Sequence, residues 1–375
     1  MPTPICSVAS GTEKPLDGTP QSDGFRWPAE WEPHHATWLA WPHNAETWPG
    51  QLEAVESSYV QMAGALHERE RVCITVRDAA TEEVVRRRLS LAGIERGLEF
   101  HRIPTNDAWI RDHGPVFVKK ASQVAVVDFR FDSWGRKYPP WDLDDGIPRA
   151  IAAVRRMRRF GVDVVLEGGS VEGNGRGSVL TTESCLLNPN RGPVPLPSQG
   201  PMPGPDRGSD SHPGSGRTRE ALEIVLHDTL GATNVLWLAG GIEGDDTDGH
   251  VDDLCRFVDS STVVAVEEED PQDPNHAPLA ENLRRLRGMR DQDGRPLSVA
   301  TLPMPPPLRF GGLRLPASYA NFYLANGVAL VPVFEAPSDA RALAVLRELL
   351  PGREVVPIPA RELVVGLGAV HCLTQ

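Results

Sequence analysis

Apolar positions along this chain alternate between helical spacing and short unbroken runs. Over residues 51–70, Leu52, Val55, Tyr59, Met62, Ala63 and Leu66 recur every three or four residues and fall on one face of a helix. The same periodicity predicts helices over 81–92, 147–160, 218–230, 277–290 and 338–350. Thr218 and Ser338 stand where side chains cap helix starts, and Gly352 lies just past the last helix. Between helices lie pairs of β-rich runs: 116–118 with 124–129, 257–259 with 262–266, and 322–324 with 328–333. One further run follows each helix, at 162–166, 234–238, 297–302 and 354–357. The unit is strand-strand-helix-strand, repeated about five times without sequence identity between copies. A doubly wound sheet also alternates strands with helices, but it does not account for two strands before each helix.

Composition narrows the partners. With 375 residues, the chain is long enough for one large core or two, and motifs spread from end to end favour a single domain over 26–375. Residues 1–25 lack a basic start and an apolar stretch, so they read as a disordered tail and not as a signal peptide. Residues 193–216, rich in Pro, Gly and Ser, read as a surface loop or a cover over a site mouth. The formal net charge of −13 argues against nucleic acid and anionic membrane, and no apolar run reaches a membrane span. A homodimer is left open. Five cysteines, an odd number with no CxxC pair, fit reduced thiols in the cytoplasm.

Chemistry gathers at two glycine-rich stretches. His250 and Asp252 lie in Gly-Asp-Asp-Thr-Asp-Gly-His-Val-Asp, and Cys372 in Gly-Leu-Gly-Ala-Val-His-Cys near the chain end. Two residues apart on an extended segment, His250 and Asp252 face the same way and can share a pocket. Alone, Cys372 would be a packing cysteine; Gly366 and Gly368 permit backbone geometries that bring its thiol into a cavity. His371, its neighbour on a strand, would point to the opposite face and is set aside as proton carrier. A thiol attacks only as thiolate, so a cationic neighbour or substrate must favour ionisation. Nearby carboxylates oppose that ionisation but match the planar donor fork of a guanidinium. A calcium loop is the rival for Asp246, Asp248 and Gly249; positions one and twelve would be Gly244 and Cys255, which removes its key ligands.

Five segments in register resemble the agmatine deiminase family of guanidine-modifying enzymes, which includes bacterial-type peptidylarginine deiminases. They are Trp-Leu-Ala-Trp-Pro-His from Trp38, Asn-Asp-Ala-Trp-Ile-Arg-Asp-His-Gly-Pro from Asn106, Glu-Gly-Gly-Ser from Glu167 running on to Thr181–Arg191, the His250 segment, and Ser318–Gly327 followed by Cys372. The resemblance implies a five-bladed α/β propeller (pentein fold) with a central site. It also implies Cys372 as nucleophile, His250 as proton carrier oriented by Glu167, and Asp112 and Asp252 as the guanidinium carboxylates. Trp109 is placed to stack on a planar cation and Asp107 to meet the far end of the substrate. Trp41 resembles a position near the substrate tail. The implied reaction is hydrolysis of agmatine to N-carbamoylputrescine and ammonia, without metal or cofactor. Peptidylarginine or free arginine is the alternative substrate, and a Cys-His acyl hydrolase the remote rival. Leu367 and Ala369 depart from the usual Gly and Asn, and 171–176 departs from the usual sequence, which touches the substrate tail more than the chemistry.

Overall fold

The computed structural model describes residues 18–194 and 217–375. They form an α/β fold of five groups, each built on a three-stranded sheet. The first holds β1 (Ala36–Ala40), α1 (Leu52–Leu66), β2 (Arg71–Val76), α2 (Ala79–Leu91) and β3 (Leu98–Arg102). Its strands are all parallel, Ala36 opposite Arg71 and Val72 opposite Leu98. The second holds β4 (Val116–Lys120), β5 (Gln123–Arg130), α3 (Ile147–Arg155) and β6 (Arg158–Val165). The third holds β7 (Val171–Gly173), β8 (Ser178–Thr182), α4 (Arg219–Leu230) and β9 (Asn234–Leu238). The fourth holds β10 (Cys255–Phe257), β11 (Thr262–Glu267), α5 (His276–Gly288) and β12 (Ser298–Pro303). After the hairpin β13 (Arg309–Phe310) and β14 (Leu313–Arg314), the fifth holds β15 (Tyr323–Ala325), β16 (Val328–Val333), α6 (Asp339–Leu349) and β17 (Glu354–Pro359).

In the last four groups the first two strands pair antiparallel and the third runs parallel to the second. The expected strand-strand-helix-strand order therefore holds in four groups and fails in the first. There β1 and β2 are parallel, a pairing that needs a crossover, and α1 supplies it. The buried face of α1, including Val55, Tyr59, Met62 and Leu66, packs against β2 and also against β16 and β17, which joins the first group to the fifth. Trp38 and Gln375 exchange backbone hydrogen bonds of 2.7 and 3.1 Å at the same junction.

Local chemistry moves several boundaries. α3 stops at Arg155, short of the expected 160, because Arg156 turns left-handed (φ 52°) and the Met157 amide bonds back to Ala152. That releases 158–160 into β6. The Asp78 side chain accepts from the Thr81 amide, so α2 begins before Thr81. Thr218 caps α4 as expected, whereas Ser338 gives its hydroxyl to a bond with Tyr319 and does not cap α6. The expected tail is too long: Phe25 is buried against Phe160, and the Gln21 amide bonds Asp228, so residues 18–25 are packed while 1–17 lie outside the described residues. Of the expected loop, only residues 193–194 are described. Among the described residues no helix is long and apolar enough to cross a membrane.

Candidate active site

The predicted acids and base sit where one group hands the chain to the next, and the predicted nucleophile sits after the last group. Asp112 lies in the short turn Ile110–His113 between β3 and β4; Glu167 and Gly169 lie between β6 and β7. His250, Asp252 and Asp253 lie between β9 and β10, Asn321 just before β15, and Cys372 beyond β17. These side chains are buried, Asp112 at 4% and Cys372 at 5% exposure. Buried charge is tolerated only when it is paired or meant to meet a partner.

The surroundings of Cys372 are built from the Asn321 side chain and from backbone. Asn321 Oδ1 accepts the His371 and Cys372 amides at 2.9 and 3.3 Å, and its Nδ2 donates to Cys372 Sγ at 3.1 Å and Asp253 Oδ1 at 3.0 Å. The Arg111 amide bonds the Cys372 carbonyl at 3.2 Å. Gly366 and Gly368 serve close approach, not unusual backbone angles. A Cβ on Gly366 would fall 2.6 Å from Trp48 Nε1, and one on Gly368 would fall 2.5 Å from Trp109 Cζ3. Those two indoles, 5.3 Å apart, pack directly on the bare chain. The left-handed residue here is Leu367, at φ 71°. Burial pushes the Cys372 thiol well above its usual range, and Asp252, Asp253 and Asp112 push it further. The thiol faces Asp252 Oδ2 at 3.7 Å.

The two guanidinium carboxylates expected from the sequence differ in their anchors. Asp112 accepts Trp134 Nε1 on Oδ2 and the Gly169 amide on Oδ1, both at 3.0 Å. Burial raises its pKa to about 6; His250 opposes the rise, Asp252 and Glu167 add to it, and the Trp134 bond opposes it. Asp252 Oδ2 accepts His371 Nδ1 at 2.7 Å, and His371 Nε2 reaches Glu30 Oε2 at 2.9 Å. Glu30 is held in turn by Arg111 at 2.9 Å and Arg256 at 2.7 Å. Burial alone would raise the Asp252 pKa, but the bond and charge of His371 prevail and lower it. His371 therefore belongs to the site. Residues 370–373 form a turn and 368–375 hold no strand, so His371 and Cys372 both reach Asp252. His250 and Asp252 likewise share the pocket through a tight 3-10 turn, Val251–Asp253, and not through an extended segment.

His250 Nδ1 lies 3.6 Å from Asp112 Oδ1. Burial opposes its protonation, yet Asp112 and then Cys185 outweigh it and raise its pKa well above the usual value. Glu167 does not hydrogen-bond His250. Its Oε1 accepts Arg191 Nε at 2.9 Å in a fully buried ion pair, and a Glu167 oxygen, Cys185 Sγ and a His250 nitrogen lie within 4.8 Å of one another. Arg191 also donates to the Thr247 carbonyl at 2.6 Å and to Asn190 at 2.9 Å, which ties Glu167 to the His250 connector. Glu167 Oε2 and Asp252 Oδ1 are buried acceptors with no partner among the described residues. At the centre of this ring is Gly169. A Cβ there would stand 2.7 Å from both Asp112 Oδ1 and His250 Nδ1, and 2.9 Å from Asp252 Oδ2.

The outer candidates separate. Trp109 walls the approach to Cys372, packed on Trp48 and Gly368. Asp107, half-buried, accepts from Thr47 and Asn44 and caps its own turn at Ala108. Trp41 turns away into the core: its indole donates to Glu56 on α1 at 3.0 Å and its ring packs edge-on to Tyr59. Asp246 and Asp248 are engaged by Tyr138 and by Lys137, Asn190 and Arg191, as an ion-pair lattice and not as a calcium loop. Asn321 and Arg191 stood inside recognised segments without an assigned role, and Trp134, Glu30 and Cys185 went unassigned as well. Only their contacts reveal them.

Two unequal carboxylates and an imidazole meet around one glycine, a buried thiol faces one of the carboxylates, and the chain that carries them is an enzyme acting on guanidino carbon–nitrogen bonds. The chain belongs to the Porphyromonas-type peptidyl-arginine deiminase family, which it matches over residues 26–195 and 210–375. It is 35% identical over 384 residues to the agmatine deiminase of Ectopseudomonas mendocina, covering 96% of this chain and 97% of that one. It is 36% identical over 386 residues to that of Pseudomonas putida, covering 96% and 98%. Among solved structures, the agmatine deiminase of Enterococcus faecalis matches with TM-score 0.85 and 30% identity over 96% of this chain and 97% of that one. A C. jejuni agmatine deiminase with a cysteine-to-serine change and substrate bound matches with TM-score 0.79 and 28% identity over 94% and 95%.

Proposed function

We propose that this protein deiminates agmatine, yielding N-carbamoylputrescine and ammonia, and that its five groups form a five-bladed α/β propeller around the meeting connectors. One observation carries the reading most: two carboxylates, with an unpartnered oxygen on Asp252, converge with an imidazole on a spot kept open by Gly169, and the Cys372 thiol faces Asp252. A guanidinium brings five N–H donors and a positive charge, which is what such acceptors lack. The full-length likeness to agmatine deiminases supports the substrate.

In this mechanism Asp112 and Asp252 hold the guanidinium nitrogens, and the bound cation offsets the carboxylates that keep Cys372 protonated. The thiol releases its proton to solvent and its sulfur bonds the guanidino carbon, whose C=N π pair moves onto nitrogen. His250 passes a proton to the departing nitrogen, which leaves as ammonia, and the carbon stays on sulfur as a thiouronium. His250 then takes a proton from water; the oxygen bonds the carbon, the carbon–sulfur bond breaks, and the ureido product leaves with the thiol restored. Glu167, fixed by Arg191, sustains the charge on His250 through the field and not by direct bonding. Asp107 is the candidate partner for the distal ammonium. The four described cysteines are free, which fits a reducing compartment, and we place the enzyme in the cytoplasm.

Peptidyl-arginine is the second reading, raised by the family's description. The deep burial of His250, Asp252 and Cys372 favours a small substrate over a chain segment. Ureido product is measured with agmatine, free arginine and a blocked arginyl peptide. Preference for agmatine is the expected result, and faster turnover of the peptide would refute the assignment.

A further inference from the structure

We propose that Trp134 is a positioning residue of the deimination site, holding Asp112 in place and ionised by donating its indole N–H from a turn wound left-handed for that purpose. This deepens the function proposed above and rests on Asp112 being a guanidinium carboxylate. The turn Ser133–Arg136 follows β5, and its residues have φ of 58°, 55°, 87° and 68°. Only one of the four is glycine. Three left-handed residues within four positions, at serine, tryptophan and arginine, hold a conformation normally reserved for glycine; such conformations persist only where the surroundings over-determine them, and they concentrate at functional sites.

The surroundings here are specific. Asp132 accepts the Gly135 amide at 2.9 Å, and the Arg136 amide bonds the Asp132 carbonyl at 2.7 Å. The Ser133 hydroxyl bonds the Tyr138 carbonyl at 3.1 Å. Lys137 and Tyr138 then clamp the turn onto the connector that carries His250, through Asp248 at 3.1 Å and through Asp246. Gly135 itself lies against Asn190, where a Cβ would stand 2.6 Å from the amide carbon, and Asn190 bonds Asp248 at 2.9 Å. What this frame delivers into the site is a single donor. Trp134 is buried, its ring edge-on to Phe131 at 5.2 Å, and Nε1 meets Asp112 Oδ2 at 3.0 Å. A tryptophan indole can only donate, so it favours the carboxylate over the carboxylic acid.

Asp112 needs that help because most charges around it are negative. Asp252, Glu167 and Asp253 face it from other connectors, with the Cys372 thiol nearby, and His250 is the cation among them. Its other anchor is the neutral amide of Gly169. Removing the indole donor leaves an acidic cluster with one fewer reason to ionise, so Asp112 keeps its proton to higher pH.

The test is Trp134→Phe, which keeps an aromatic ring and deletes the donor, with Asp112→Asn in parallel. For Trp134→Phe, kcat/KM for agmatine is expected to fall about 10- to 100-fold, the usual worth of a hydrogen bond to a charged group. The acid limb of its pH profile should move upward by about one pH unit, since that much bonding separates the two protonation states. A purely structural tryptophan would lower the melting temperature without moving that limb. An unmoved limb with kcat/KM within about twofold of wild type overturns the proposal. Should Asp112→Asn also keep wild-type activity, the guanidinium reading itself falls; an inactive Asp112→Asn beside an unaffected Trp134→Phe refutes this inference alone. If Trp134→Phe does not fold, the wild-type indole N–H resonance, followed by NMR in ¹⁵N-tryptophan-labelled enzyme, replaces it. Loss of a pH-dependent shift in Asp112→Asn supports the bond, and an unchanged resonance overturns it.

Discussion

Asp112 and Asp252 are the same side chain, both buried, on two connectors that meet at Gly169, and they are charged by different means. Asp252 leans on a chain of paired groups running inward through His371 and Glu30 to Arg111 and Arg256, and its pKa is lowered. Asp112 accepts from an indole and an amide with His250 3.6 Å away, and burial still lifts it to about 6. The fold thus holds one permanent anion against the thiol and one adjustable anion against His250. A symmetric pair of permanent anions would hold the substrate but would also suppress the thiolate more strongly. The same asymmetry divides acid stability. Asp252, depressed, contributes stability present above its unfolded pKa and lost as pH falls through its folded value. Asp112, raised, does the reverse: its contribution is present below its unfolded value and lost as pH climbs toward about 6.

The largest effect should come from removing what lies between them. Cys372→Ala is expected to abolish turnover while agmatine still binds, measured by calorimetry beside an activity assay, because both carboxylates remain. Retained turnover would mean another group attacks. Next come the carboxylates themselves. Asp252→Asn and Asp112→Asn should each lose about 2 to 5 kcal/mol in kcat/KM, the cost of breaking a buried charged partnership. Asp252→Asn should lose more, since it also strands His371. Iodoacetamide should alkylate Cys372 faster in Asp252→Asn than in wild type, because a carboxylate that keeps the thiol protonated has gone. A slower reaction would contradict the assigned direction of that effect.

A smaller substitution can turn one side into the other. His371→Asn removes the imidazole that bonds Asp252 at 2.7 Å, and Asp252 should then resemble Asp112. Loss of roughly 1.5 to 3 kcal/mol in kcat/KM is expected, with the acid limb moved to higher pH. An unchanged profile would show that the inward chain of His371 and Glu30 does not set the charge of Asp252.

How much of this was legible in the chain depends on the length scale of each feature. Helical and strand periodicity is local, so three of the five groups could be read strand by strand, and the group of β7 to β9 in its helix and last strand. The first could not, because α1 answers to β16 and β17, nearly 300 residues away, as well as to its own strands. The principal site residues were legible because each stands in a short motif at a connector. The partners that tune them were not, since Trp134 meets Asp112 across 22 positions and His371 meets Asp252 across 119. His371 was misplaced by assuming a strand where glycines and aromatic packing make turns. Trp41 was misplaced because tryptophan-proline reads alike in a core and at a pocket mouth.

The most direct test of the central claim is to quench the enzyme during agmatine turnover and examine its peptides by mass spectrometry. The account predicts a transient adduct on Cys372, with the mass of agmatine less ammonia, that forms and decays at rates compatible with turnover. It is absent when Asp112 and Asp252 are both replaced by Asn. An adduct on Cys185, or normal product formation with Cys372 never modified, would contradict it.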